Sequence, residues 1–374
     1  MDQMDVKVSV IMLTHNREEL VTHAIESVLA QTMREFEFII VDNGSRDRSG
    51  IIADQYAEKD NRIRVLHIQE STIGAGRNAG LNIAMGEYIT FLDDDDSLDD
   101  DALDFLYRLS TDEDADISIC GSTKKVNGIE IPNCVFNEKL VMTPEEGIVT
   151  LLKRKKYSAG MPAKLFKRNL FDEIRFATNR RFEDIHTTYK YFAEAKKVVA
   201  YGIPKYRILR HDGNNSGFTT NDKLLTPEQL DEYFEAFRER TVYLTEKLPT
   251  IADYAQYSEW SYMISMCNKI EKNHLDNCRK QLEFVKKELT EHYEEFYESP
   301  YIEEFKLSKC HIQIILLPYF VITLIIQRFS FCCKSSLLYL FIFPGPVLTI
   351  EFDEPGACLT VFISWHIHHL LLSI

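Results

Sequence analysis

Residues 88–101 read YITFLDDDDSLDDD, an apolar run from Tyr88 to Leu92 followed by seven aspartates in the nine residues from Asp93. The apolar run has the pattern of a strand covered on both faces. Carboxylates this close raise one another's pKa and oppose folding unless something positive sits among them. The second half of the cluster has a plain local reading. Ser97 is placed to cap a helix whose first turn holds Asp99, Asp100 and Asp101, where the helix dipole favours negative charge. Asp93 to Asp96 are left unexplained, at the carboxyl end of the strand.

The segments on either side give that strand its context. VSVIML (8–13), EFEFIIV (35–41), RIRVLHI (62–68) and DISIC (116–120) are further strand patterns. Between them run segments with helical spacing, such as Leu20, Val21, Ala24, Ile25, Val28 and Leu29. Strands separated by helices predict an α/β fold, a Rossmann-like, mostly parallel sheet with helices on both faces. Ligands of such sheets bind beyond the carboxyl ends of the strands. Thr14 and Asn16, Asp42 and Asn43, and Asp93 to Asp96 stand at those ends and are expected to share one crevice.

After Gly121 the pattern is mixed. TPEE (143–146) and TPEQ (226–229) are capping-box helix starts with Pro at the first helical position. From Thr226 the chain reads helical to about Glu298. Its stripe of Tyr233, Phe237, Tyr243, Leu244, Trp260 and Met263 is expected to be core. The expected division is 1–120, 121–225, a helical extension 226–305 and a hydrophobic tail 306–374. From His311 onward only Arg328, Lys334, Glu351, Asp353 and Glu354 are charged. The tail's two apolar runs, 312–326 and 337–350, are shorter than the ~20 residues that span a bilayer. They are read as an interfacial or re-entrant membrane contact, as a buried helical extension, or as a tail foreign to the rest.

Composition narrows the function. The chain has 374 residues, 45% hydrophobic and 27% charged, which is globular. A net charge of −15 argues against a nucleic-acid partner. The acidic start MDQMDVKVSV shows no export signal, and the eight cysteines form no C-x-x-C pair. Reduced thiols in a cytoplasmic protein are therefore expected.

Carboxylates at a strand end within a crevice suit a divalent cation, Mg²⁺ or Mn²⁺, which would remove the repulsion of Asp93 to Asp96. An EF-hand is excluded, because Leu98 stands where its glycine is needed and a strand precedes the segment. Mg²⁺ commonly takes one or two carboxylates plus substrate phosphates, so a phosphate-bearing ligand is expected. GAGRNAG (74–80) raises a dinucleotide reading. It follows the third strand instead of the first, and adjacent acids would repel a pyrophosphate that lacked a metal. The glycines are expected to let a helix approach a phosphate or the sheet.

VSVIMLTHNREELVTHAIESVLAQT, FEFIIVDNGSRDRS, GAGRNAGLNIAMGEYITFLDDDD and FEDIHTTYKYF together resemble the inverting family 2 glycosyltransferases, which have the GT-A fold. The resemblance runs from about residue 6 to 218. AKLFKRNLF is similar to the bacterial capsule and cell-surface polysaccharide members. The resemblance implies that Thr14, Asn16, Asp42, Asn43 and Arg77 meet the nucleotide, with Asp94 near the ribose. It implies that Asp93 and Asp95 form the D-x-D metal motif and that Asp184 is the catalytic base. The chain departs from the family at Leu13, where Pro is usual, at His15, where Tyr is usual, and at Thr72 and Gly74, which replace Gly and Ser. The implied reaction moves a sugar from a nucleotide-sugar, expected to be UDP-linked, to a saccharide or lipid-linked acceptor. The implied place is the cytoplasm, at the inner face of the membrane. The rivals are a sugar nucleotidyltransferase and a membrane-associated protein that binds nucleotide without turnover.

Three residue readings stay open. Asp184 is also well placed to cap the helix IHTTYKYF. Arg210 and His211 either reach the diphosphate or metal from a closing loop or lie in a surface turn. Lys153 to Lys156 meet anionic lipid or a lipid-diphosphate acceptor, or form a solvated helix end.

Overall fold

The computed structural model describes residues 6–126, 128–211, 222–292, 295–296 and 299–301, and three short strands between 338 and 363. Two compact units divide the chain, Met1–Ile312 and Gln313–Ile374.

The first unit begins with the alternation that the sequence predicts. β1 (Val8–Thr14), α1 (Val21–Leu29), β2 (Phe36–Asn43), α2 (Ser49–Ala57), β3 (Ile63–Ile68), α3 (Ile73–Ile83) and β4 (Tyr88–Asp93) follow in order. β5 (Ser97–Leu98), α4 (Ala102–Glu113), β6 (Ile117–Val126), β7 (Ile129–Cys134) and β8 (Lys139–Met142) come next. Then come α5 (Pro144–Lys153), β9 (Lys164–Lys167), α6 (Leu170–Glu173), α7 (Glu183–Glu194) and β10 (Val198–Arg210). Three helices close the unit: α8 (Pro227–Lys247), α9 (Ala252–Lys272) and α10 (Arg279–Glu291).

One sheet carries β1 to β10 in the order β3-β2-β1-β4-β9-β6-β10-β5, with β7 beside β6 and β8 beside β10. β3, β2, β1 and β4 run parallel, as do β6 and β10. β5, β7, β8 and β9 are antiparallel to their neighbours, so the sheet is mixed in its second half. The register brings the polar strand ends level, with Thr14 opposite Asp42 and Leu13 opposite Asp93. Apolar side chains alternate between two cores. Ile11, Ile39, Ile89 and Phe91 enter one, and Val10, Met12, Phe38 and Leu92 the other.

The glycine motif is explained by packing. A Cβ on Gly76 would lie 2.3 Å from Leu13 Cδ1, and one on Gly80 2.6 Å from Ile11 Cγ2. One on Gly74 would lie 2.2 Å from the Ala177 carbonyl oxygen. α3 therefore lies directly on β1 and on the segment that leads into α7, which no side chain at these positions would allow.

Three local readings are corrected. Ser97 does not cap α4. It pairs in β5 with Arg207 of β10, and the helix starts after Asp101. A partner more than a hundred residues away outweighs the local capping preference. Asp184 is not the cap of α7 either, because the helix begins at Glu183 with Phe182 in the cap position. Among the described residues the helical reading from 226 to about 298 is broken twice. Pro249 forces Leu248 out of helical geometry (φ −133°, ψ 71°), and a second break follows Lys272, where His274 takes a left-handed φ of 52°. The aromatic stripe is core as expected, with Trp260, Met263 and Leu244 buried.

In the second unit the described residues are strands β11 (Leu338–Leu340), β12 (Leu348–Ile350) and β13 (Phe362–Ile363), paired antiparallel. The ends of the 337–350 run are thus extended and not helical, while the 312–326 run lies outside the described residues. Among the described residues no helix is long and apolar enough to cross a membrane.

Gly74→Ala is expected to lower stability by about 1–3 kcal/mol, because the methyl meets backbone that cannot step aside. Urea denaturation of the purified variant beside the wild type measures this.

Candidate active site

The carboxyl ends of β1, β2 and β4 hold most of the residues singled out by the sequence. Asp94 follows β4, with its side chain mostly covered. Its Oδ2 accepts from the His15 backbone N–H at 3.3 Å, and Arg17 Nε lies 3.7 Å from its Oδ1. Burial pushes its carboxyl up to about 7, with the Asp95 and Asp93 charges adding and Thr14 and Arg17 opposing. Asp96 is 5% exposed and accepts from the Leu209 N–H at 2.8 Å, fixing the end of β10. Burial, then Asp93 and Asp95, push it up to about 8. Tyr206 completes this corner, its hydroxyl oxygen accepting from the Asp93 N–H at 3.2 Å.

Asp95 meets His211, whose Nε2 lies 3.0 Å from Asp95 Oδ2. This ties the end of β10 to the middle of the acidic cluster. The contact sets His211 beside one of the two aspartates expected to form the metal motif. Lys153, Arg154 and Lys155, in contrast, are exposed where α5 ends.

Asp42 and Asn43 stand where expected, but their side chains hold protein. Asp42 accepts from the Ser45 N–H at 3.1 Å and lies 2.9 Å from His67 Nδ1. Burial would raise its carboxyl, yet the hydrogen bonds from Ser45 and His67 prevail and hold it below the usual range. The Asn43 amide donates to the Ser71 carbonyl and accepts from the Ser71 N–H, both at 2.9 Å. Asn16 has a left-handed φ of 53°, and its side-chain oxygen accepts from the Arg46 N–H at 2.8 Å. These residues shape the three loops that edge the crevice. Thr14 is fully buried at the end of β1.

Arg77 joins the two halves of the site. It is 8% exposed, lies against the rings of both Phe91 and Phe176, and reaches Asp93 Oδ1 at 3.4 Å. Its other nitrogen donates to Glu183 Oε1. Glu183 was missed by the sequence reasoning as a residue in its own right, although a buried arginine requires an acidic partner. Burial pushes the Glu183 carboxyl up to about 7, with Arg77 opposing and Asp184 adding. Asp184 follows Glu183 in the first turn of α7, partly exposed, its Oδ1 accepting from the Ile185 N–H at 2.8 Å. The helix that carries it is clamped by α8. Glu232 accepts from the Arg181 and Phe182 N–H groups at 2.7 and 2.9 Å, Phe182 stacks on Tyr233, and Glu239 meets buried His186 at 2.9 Å.

Among the described residues no three His, Cys, Asp or Glu side chains already converge as a closed metal cage. Asp93 and Asp95 could supply the one or two carboxylates that a Mg²⁺ or Mn²⁺ site commonly takes, with substrate phosphates and water as the other ligands.

The comparisons identify the family. Residues 9–175 match the family described as "Glycosyl transferase family 2". Glycosyltransferase GlyG of Streptococcus pneumoniae is 33% identical over 223 residues, covering 56% of this chain and 73% of that protein. The chain belongs to glycosyltransferase family 2. Another relative at 33% identity, over 218 residues, is the poly(ribitol-phosphate) beta-glucosyltransferase of Bacillus spizizenii. That match covers 56% of this chain but only 33% of the longer relative. Among solved structures, S. aureus TarS 1-349 in complex with UDP-GlcNAc superposes with a TM-score of 0.52 at 19% identity, over 75% of this chain and 92% of that one. The family's GT-A architecture is the fold seen here.

The raised carboxyls have a consequence for stability. Asp94 and Asp96 keep protons in the folded chain that the unfolded chain releases near pH 4. The stability they contribute is complete below that pH and is lost as pH rises through about 7 to 8. Thermal unfolding in a chelator is therefore expected to show the melting temperature falling from pH 5.5 to 8, and Asp96→Asn is expected to reduce that fall.

Proposed function

We propose that this family 2 enzyme transfers a sugar, with inversion, from a UDP-sugar to a hydroxyl of a saccharide or lipid-linked acceptor. The observation that carries this reading is the Arg77 bridge. One side chain contacts both Asp93, at the donor end of the sheet, and Glu183, the neighbour of Asp184. On this reading Asp184, next to Glu183 in α7, faces the acceptor as the base while the acidic cluster faces the donor.

The chemistry follows from the residues. The acceptor hydroxyl is a poor nucleophile at neutral pH, so a positioned carboxylate must take its proton as the oxygen attacks. Asp184 is that base. Glu183 is buried and engaged by Arg77, whereas Asp184 is partly exposed. Displacement from the face opposite the leaving nucleoside diphosphate inverts the anomeric carbon in one step. Asp95 and Asp93, with His211 beside them, would hold Mg²⁺ or Mn²⁺, which when bound stabilises negative charge developing on the diphosphate. Thr14, Asn16, Asp42, Asn43 and Asp94 shape the nucleotide end of the crevice.

Support for a UDP-sugar comes from TarS, which shares the fold and was solved with UDP-GlcNAc and with UDP. Support for a surface-polymer acceptor comes from the names of relatives, among them the poly(ribitol-phosphate) beta-glucosyltransferase. We assign the reaction to the cytoplasmic face of the membrane, with the tail as the contact. A sugar nucleotidyltransferase would have a glycine-rich basic loop after β1, where this chain has His15-Asn16-Arg17-Glu18-Glu19. A protein that only binds nucleotide would not need Asp184.

Asp184→Asn is expected to reduce sugar transfer by about 10²–10⁴-fold while leaving UDP affinity in calorimetry within twofold. Unchanged transfer would contradict the assignment of the base.

A further inference from the structure

Lys164, the first residue of β9, is 1% exposed. Among the described residues no carboxylate lies within ion-pair distance of it. A buried ammonium is costly unless it is fully hydrogen-bonded, so its partners should report its purpose. Those partners are backbone carbonyls of the segment just before it, Gly160 and, at 3.3 Å, Pro162.

The same segment is held from two other directions. The Thr188 hydroxyl donates to the Ala159 carbonyl at 2.7 Å, and the Cys120 N–H donates to the Ala163 carbonyl at 3.1 Å. Thr188 stands one turn after Asp184 on α7, so the helix that carries the base also grips this loop. Ala163 takes a left-handed φ of 62°, a conformation that a residue with a Cβ adopts only when its surroundings impose it. A Cβ added at Gly160 would lie 4.0 Å from Asp184 Oδ2, with Ser158 Oγ at 3.6 Å and Pro162 Cδ at 3.8 Å. The loop backbone at Gly160 therefore borders the Asp184 carboxylate, with room for about one carbon between them. Burial pushes the Lys164 ammonium down to about 8, and Asp184 is among the charges that counter the shift.

We propose that residues 158–163 form the wall of the acceptor-hydroxyl subsite, that Gly160 leaves room for the acceptor beside Asp184, and that Lys164 is a positioning residue for this wall. The inference rests on the reading of Asp184 as the base. A loop whose carbonyls at 159, 160, 162 and 163 are all anchored can fix an incoming hydroxyl against the carboxylate. Near-attack placement of this kind is what intramolecular rate enhancement requires.

Lys164→Met and Gly160→Val test this beside Asp184→Asn. The assay is release of UDP from UDP-glucose and from UDP-N-acetylglucosamine with Mn²⁺ and water as the acceptor, together with calorimetric UDP binding. Lys164→Met is expected to lower kcat at least tenfold with donor KM and UDP affinity within twofold of wild type. Gly160→Val should do the same by filling the gap, without touching the buried lysine. If Asp184→Asn loses turnover while both loop variants match wild type, the loop has no part in the reaction and the base assignment stands. If Lys164→Met loses UDP binding along with turnover, its role is general folding and the positioning claim fails. Turnover retained in Asp184→Asn overturns the base, and this inference with it.

Discussion

The site depends on one buried cation. Arg77 comes from α3, a helix that glycines allow to lie against β1, and it spans from Asp93 to Glu183. A buried arginine stripped of its partner costs about 3–5 kcal/mol, so neither carboxylate can leave without penalty. The aromatic rings of Phe91 and Phe176 keep water from the guanidinium and strengthen both interactions. Segments more than a hundred residues apart thus meet in a fixed relation, and one side chain joins the acidic cluster to the start of α7.

The acidic cluster is tolerated for separate reasons at each position. Asp96 is spent on the β10 backbone, Asp94 on the β1 loop, and Asp93 on Arg77, while Asp95 faces His211. Even so, burial first and the neighbouring aspartates second hold Asp94 and Asp96 far above the usual carboxylate range. In the proposed reaction a divalent cation would offset part of this negative charge, and the family to which the chain belongs transfers sugars.

Much of this was legible in the sequence. The four parallel strands could be read from their apolar runs because both faces are covered, and the crevice followed from where the polar residues end those runs. The helix starts at Thr143 and Thr226 could be read because a capping box is local chemistry, and both boxes are formed. What could not be read was decided at a distance. Ser97 has a good local reason to cap a helix, but Arg207 draws it into a strand. Glu183 looks like any acid in a first helical turn until Arg77 is found buried beside it. The antiparallel β9 has only four residues, and its role appears only when β4 and β6 are seen on either side of it. The break at Pro249 was the exception, a local signal passed over because the apolar stripe continues through it.

The most direct test of the account is isothermal titration of the purified chain with UDP, with and without Mn²⁺, beside Asp95→Asn. The account predicts UDP binding that strengthens with Mn²⁺ in the wild type and loses that metal dependence in the variant. UDP binding of equal strength in all four conditions would contradict the assignment of the acidic cluster as the seat of a metal-bound diphosphate.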